Sequence, residues 1–162
     1  MIWTYCETWN NLTEEPMIPL TAEEAHARHV SGQLYNAIAS TPGQPSPQLR
    51  VGIRLETGYA SVTFMDEFGR DTLSYTFTLL SGWLFLETVN TYGYGDFEER
   101  GGYADANYTE SYEFTPDGVM EQNIERDGEE FQESRNGIDV TSNWEPIPEF
   151  GRYDSLIRRE RA

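Results

Sequence analysis

The sequence predicts one α+β domain, residues 1–162, in which a curved antiparallel meander of about eight strands packs on one N-terminal helix and a short helix ends the chain. Two observations predict this fold. Apolar and polar residues alternate in successive short runs between residues 49 and 144, which is the period of a β-strand. Tight-turn dipeptides separate these runs, and strands joined by tight turns pair antiparallel. A partly closed β-barrel is the alternative architecture.

A strand and a helix are predicted before the meander. Residues 1–9 are rich in Trp, Tyr and Thr and alternate loosely, as strands do, and two prolines within residues 16–19 indicate a connection. Thr21 and Glu24 then have the spacing of a capping box. Small or apolar residues follow near helical spacing until a stop signal at residues 40–43, which predicts one helix. The residues in this pattern are Ala22, Ala25, Val30, Leu34, Ala37 and Ile38.

Four strands of the meander are predicted next, at residues 49–55, 59–66, 73–79 and 83–92. The first alternates leucine, valine and isoleucine with Arg and Gly, and the third alternates leucine and aromatic residues with Ser and Thr. Glycine-containing turns separate the strands. Because successive side chains of a strand point to opposite faces, we expect the apolar set of each strand to be buried on one face of the sheet.

A second group of strands is predicted after a long segment without periodicity. Residues 93–107 contain four glycines and are predicted to form a long loop, which in compact domains is often functional. The arginine-rich residues 152–161 are predicted to form the C-terminal helix. Between these segments we predict four more strands, with Asp-Gly and Asn-Gly as hairpin turns: residues 108–114, 119–126, 129–135 and 138–144.

The net charge is the most unusual number of this chain. It is −17, because 28 acidic residues face 11 basic ones, all of them arginine. Such a surface repels nucleic-acid phosphates and anionic membranes, so we expect neither as a partner. It favours basic protein partners and speeds the encounter with them, although acidity alone also serves solubility. The first residues lack the basic and apolar regions of a signal peptide, so we expect a cytoplasmic protein.

Few residues suggest catalytic or metal chemistry. Glu23, His26 and His29 share one face of the predicted helix and have the side chains of metal ligands, but the solvated polar face of an amphipathic helix is the favoured interpretation. No further strong ligand is identifiable elsewhere, so we expect no metal, no cofactor and no enzymatic activity. Cys6 is the only cysteine, which excludes an intramolecular disulfide. We interpret it as a small buried residue of the first strand and not as a nucleophile.

The strongest candidate for a functional site is the acidic and aromatic segment of residues 92–133. Residues 96–133 contain thirteen acidic side chains and two arginines, a net charge of −11. Aromatic side chains supply buried area in protein interfaces and carboxylates steer basic partners, although a solvated hairpin face beside a loop is the competing interpretation. The predicted partner-binding residues are Tyr92, Tyr94, Asp96, Phe97, Glu98, Glu99, Tyr103 and Asp105.

Two features of this segment carry a resemblance to a known class of proteins. They are the stretch Tyr92-Gly93-Tyr94-Gly95-Asp96-Phe97-Glu98-Glu99 and the string of hairpins over residues 112–144. In these features the chain resembles the immunity proteins of bacterial polymorphic toxin systems. The resemblance implies an acidic protein that recognises and neutralises a basic partner by covering the active site of a cognate toxin, often a nuclease.

Two other functions remain open from the sequence. A curved sheet over a helix encloses a pocket in many small-ligand carriers, and Tyr75, Phe77, Trp83 and Phe85 are candidates to line it. The second is a metal-dependent enzyme that uses the histidine face of the helix. A large apolar cavity would favour the carrier, and bound metal at the histidines would favour the enzyme.

Overall fold

The computed structural model describes residues 1–10, 13, 15–96, 98 and 106–161. Eleven strands form one antiparallel sheet in this part of the chain, with one α-helix near the N-terminus and a one-turn α-helix near the C-terminus. None of the helices described is long and apolar enough to cross a membrane. The elements are β1 (Ile2–Asn10), β2 (Glu15–Leu20), α1 (Ala22–Ser31), β3 (Tyr35–Ser40), β4 (Leu49–Arg54), β5 (Tyr59–Met65), β6 (Asp71–Leu80), β7 (Trp83–Gly93), β8 (Tyr108–Phe114), β9 (Met120–Arg126), β10 (Glu129–Arg135), β11 (Trp144–Glu145) and α2 (Asp154–Ile157).

The sheet is a meander with two free ends. Across it the strands run β10-β9-β8-β7-β6-β5-β4-β3-β1-β2, and the short β11 pairs with the part of β7 that β8 leaves free. The end strands β10 and β2 do not pair with each other, so the sheet is open and the barrel alternative is wrong. The predicted α+β meander with an N-terminal helix is confirmed, with eleven strands in place of about eight.

The N-terminal helix is shorter than predicted. Its capping box is present, since the Glu24 amide donates to the Thr21 side chain at 3.1 Å and the Thr21 amide donates to the Glu24 carboxylate at 2.8 Å. Gly32, with φ of 79°, ends the helix in the left-handed conformation. The predicted continuation through Leu34, Ala37 and Ile38 is wrong, because β3 lies between β1 and β4 and is buried on both faces. A strand buried on both faces has no polar alternation, so its apolar run resembles a buried helix.

Three other expectations are corrected. The proline-containing segment predicted as a connection is β2, an edge strand, where a missing amide donor is tolerated. The strand predicted at residues 138–144 is wrong, because the chain leaves the sheet after β10 and returns only as β11. The predicted C-terminal helix over residues 152–161 is reduced to the single turn α2.

The core lies on one face of strands β1 and β3–β7, as the alternation predicts. Val51, Val62 and Tyr75 are directly opposite one another in neighbouring strands, and all three are buried. Phe77, fully buried at 0% exposure, occupies the same face of β6. The predicted burial of the apolar positions of β4 and β6 is therefore confirmed for these side chains.

The chain after β11, residues 146–161, covers this core face, and we call it the C-terminal segment. Tyr153 and Leu156 are buried in the core. The buried Glu145 carboxylate accepts hydrogen bonds from Arg158 Nε at 2.8 Å and from Arg161 Nη1 at 2.6 Å. These charge-assisted contacts hold the end of the chain against the sheet.

Candidate protein-binding surface

Among the described residues, no helix or second sheet packs on strands β8, β9 and β10. We call residues 108–135, which contain these strands and their turns, the extension. None of its strand side chains is buried, and every residue of β10 is exposed. The extension contains nine acidic residues and two arginines, a net charge of −7. A sheet region of this kind offers its faces to solvent or to a partner.

One face of the extension, the acidic face, places carboxylates directly opposite one another. Glu113 lies opposite Glu121 in the β8–β9 pairing, and Glu125 lies opposite Glu130 in the β9–β10 pairing. Like charges at directly opposite positions destabilise a sheet. An open groove of about 540 Å³ borders this face. Its lining residues are Ser111, Glu113, Glu121, Gln122, Asn123, Gln132, Glu133 and Ser134.

The other face, the aromatic face, is organised around one carboxylate. Glu110 accepts hydrogen bonds from the Tyr108 hydroxyl at 2.5 Å, from the Tyr112 hydroxyl, and from Gln122 Nε2 at 3.0 Å. The hydrogen bonds from Tyr108 and then Tyr112 lower the pKa of the Glu110 carboxyl. Phe131 of β10 belongs to this face and is 58% exposed. The aromatic face therefore combines fixed polar contacts with an apolar side chain that no described element covers.

Half of the predicted partner-binding residues fall on described positions. Phe97, Glu99, Tyr103 and Asp105 lie outside the described residues. Asp96 and Glu98 are exposed. Tyr92 is half-buried and lies opposite Thr109, so it continues the acidic face onto β7.

Tyr94 occupies a different environment from the one expected of a partner-binding residue. It is only 6% exposed, its hydroxyl donates to the Asp71 carbonyl oxygen at 2.6 Å, and the Arg70 guanidinium lies 4.2 Å from its ring centroid. Burial raises the pKa of the Tyr94 hydroxyl. In this structure Tyr94 fixes the end of β7 to the start of β6 and presents little surface to a partner.

The two histidines of α1 pack against aromatic rings. The His26 ring stacks on Phe150 with centroids 4.7 Å apart, and His29 Nδ1 lies 2.9 Å from the Tyr35 hydroxyl. Burial lowers the pKa of the His29 imidazole. Within the described ranges no three His, Cys, Asp or Glu side chains are arranged to hold a metal ion. These contacts show the histidines helping to hold the C-terminal segment against α1 and β3.

The aromatic residues proposed for a carrier pocket do not line one space. Tyr75 and Phe77 belong to the core cluster. Phe85 lies on the opposite face of β7, where its ring packs on Trp144 with centroids 4.8 Å apart. Trp83 is 52% exposed. The geometry therefore gives these four side chains no shared ligand cavity.

Cys6 is buried in β1, as predicted. Burial raises the pKa of the Cys6 thiol, which disfavours the thiolate needed for nucleophilic chemistry.

Sequence reasoning missed the facing carboxylates of the acidic face. All four lie in the acidic segment that the sequence indicates, but composition alone does not show which residues of neighbouring strands face each other. The Asp127-Gly128 turn was a usable signal: counting outward from it pairs Arg126 with Glu129 and then Glu125 with Glu130.

Comparison with known proteins adds no relative. The chain matches no protein-family model, and no curated protein or solved structure is significantly similar to it.

Proposed function

We propose that the protein binds a basic protein partner through the acidic face of the extension. The observation that carries the proposal is two pairs of facing carboxylates, Glu113 with Glu121 and Glu125 with Glu130. They lie on a sheet region that buries none of its strand side chains. Facing like charges reduce the stability of the free protein. Basic side chains of a partner relieve that repulsion on binding, so the same residues favour the complex.

The partner class follows from the resemblance noted in the sequence. An immunity protein of a polymorphic toxin system has a cognate toxin domain as its partner, and a basic toxin domain has the charge that the acidic face complements. Binding across that face neutralises the toxin if it covers the catalytic cleft. No catalytic step by this chain is part of the proposal.

The experiment compares two double charge reversals. Glu121→Arg with Glu130→Arg changes the acidic face, whereas Glu15→Arg with Glu67→Arg makes the same change in net charge at exposed positions outside the extension. The partner is captured from the source cell, purified, and assayed for association and dissociation at low and at physiological salt. Electrostatic steering acts on association and is screened by salt. We therefore expect the association rate of the acidic-face variant at low salt to be at least about tenfold lower than that of the wild type. The control variant should retain most of the rate.

Neutralisation is measured with the same variants. The wild-type protein and the control variant should suppress the catalytic activity of the captured toxin domain at equal concentrations, and the acidic-face variant should require more protein. An acidic or neutral partner contradicts the proposal. So does a footprint on α1 or on the arginine-rich C-terminus, or an equal loss of association rate in the two double variants.

A further inference from the structure

The two edges of the sheet are built differently. In β2, Pro16 and Pro19 remove amide donors and Ile18 has a φ of 55°, which breaks the regular extended backbone. Such features protect an edge from pairing with another chain. Strand β10 contains no proline and no residue with positive φ, and it pairs with β9 along its whole length, from Glu129 to Arg135. The β10 edge is thus a regular strand, and no strand of the described part of the chain pairs with its outer side.

The turn before β10 determines which backbone groups face outward. Asp127 and Gly128 have φ of 50° and 82°, the two positive values of a type I′ turn. In such a turn the flanking residues Arg126 and Glu129 form a hydrogen-bonded pair. Hydrogen-bonded and non-hydrogen-bonded positions alternate along an antiparallel pair. The amide and carbonyl groups of residues 130, 132 and 134 therefore point away from β9, towards an incoming strand.

The charges beside this edge select its occupant. Glu129, Glu130 and Glu133 line β10, and Arg135 is the only basic residue of the strand. A second copy of the chain would bring another strand with three glutamates and one arginine, and another net charge of −17, so the two copies repel each other. An extended segment with Lys or Arg at alternate positions instead gains both backbone hydrogen bonds and opposite-charge contacts.

We propose that the outer edge of β10 accepts an extended basic segment of the partner as a twelfth strand of the sheet. The inference rests on the proposed function and adds the manner of binding: backbone pairing to residues 130, 132 and 134. Affinity comes from the main-chain hydrogen bonds, and the preference for a basic segment comes from the glutamates of β9 and β10.

The first test uses a synthetic peptide of about eight residues that alternates lysine and valine, a length matched to one strand. A control peptide has the same sequence but carries a methyl group on every backbone nitrogen, so it keeps the charge and loses every amide donor. Binding of both peptides to the full chain is measured by fluorescence anisotropy at physiological salt. We expect the methylated peptide to bind at least about tenfold more weakly than the parent peptide. A tenfold loss of affinity corresponds to about 1.4 kcal/mol. Equal binding of the two peptides, or no binding of the parent peptide, overturns the proposal.

A second test changes the protein. Gln132→Pro removes an outward amide donor without removing a bond to β9, and Gln132→Ala removes the same side chain while keeping the amide. We expect the proline variant to lose affinity for the peptide about tenfold and the alanine variant to stay within about twofold. Thermal unfolding of both variants checks that the fold is retained, and the methylated peptide on the wild-type protein decides the matter if the proline variant does not fold.

The two proposals fail in different ways. If Glu121→Arg with Glu130→Arg weakens binding of the natural partner but Gln132→Pro does not, the edge pairing is wrong and the acidic face stands. If the captured partner is not basic, the proposed function itself is wrong.

Discussion

The sheet has two regions: the covered part, which is β1 and β3–β7 with α1 and the C-terminal segment, and the extension. Both consist of paired antiparallel strands, but the covered part buries apolar side chains and the strands of the extension bury none. One row of directly opposite residues crosses both regions, and its side chains change from buried apolar ones to half-buried and exposed polar ones. In order across the sheet this row is Val51, Val62, Tyr75, Val89, Tyr112, Gln122 and Glu133. Strand pairing is uninterrupted along it, but only its first part has a second layer to pack against. Pairing defines a strand, whereas burial supplies most of its stability.

This difference assigns separate tasks to the two regions. The covered part supplies the apolar burial that stabilises the fold. The extension adds surface, charge and an open strand edge while burying little. Its stability depends on hydrogen bonds to β7 and on local contacts such as those of Glu110.

Two phenylalanines test this division with the largest expected effect. Phe77→Ala removes a ring with 0% exposure and should reduce the free energy of unfolding by about 3–5 kcal/mol. Phe131→Ala makes the same chemical change at a side chain that is 58% exposed and should stay within about 0.5 kcal/mol of the wild type. Urea unfolding of the two variants measures both values. A large loss of stability in Phe131→Ala would show that the extension contributes to the core.

Acid should act on the two regions in opposite directions. Hydrogen bonding from Tyr108 and Tyr112 lowers the pKa of Glu110, so its stabilisation is present above the pKa of the unfolded chain, about 4.3, and is lost as the pH falls through the lowered folded value. Burial raises the pKa of Asp71 in β6. The charged Asp71 therefore opposes folding above its raised pKa, and this penalty disappears as the pH falls through it.

Residue-resolved hydrogen exchange checks whether acid destabilises the extension relative to the covered part. Between about pH 6 and pH 3, after correction for intrinsic exchange rates, protection of β8 and β9 should fall relative to protection of β5 and β6. Glu110→Gln should remove part of the acid sensitivity of the extension, and Asp71→Asn, a matched change in the covered part, should leave that sensitivity in place. An extension that responds to acid equally in both variants would show that Glu110 is not its pH-dependent contact.

The sequence predicts strands best where one face is buried and the other faces solvent, and it predicts hairpins best where a tight-turn dipeptide joins two strands. Alternation and tight turns predicted β4 and β6 and the hairpin of β9 and β10 because both signals are local. β3 was mistaken for helix because its alanines are good helix formers and its burial on both faces removes the alternation. The strand expected after Asn136-Gly137 failed because nothing local shows that the chain leaves the sheet there to cover the core.

The candidate site shows the same limit. Tyr94 had the composition of an interface residue, but its contacts with Asp71 and Arg70 depend on how β6 and β7 come together. The facing pair Glu125 and Glu130 was within reach of sequence reasoning, since the register follows from the turn that joins β9 to β10.

The smallest expected effect bears most directly on why the facing carboxylates exist. Glu121→Gln removes the charge opposite Glu113 while keeping the shape of the side chain, so it should raise the free energy of unfolding by about 0.5 kcal/mol. Glu67→Gln makes the same change at an exposed position outside the extension and should leave stability nearly unchanged. If the repulsion is retained for binding, Glu121→Gln should also associate more slowly with the basic partner at low salt, because one steering charge is missing. Chemical denaturation and association kinetics on the same two samples separate the explanations. A rise in stability without a change in association rate would mean that the facing carboxylates serve solubility and not recognition.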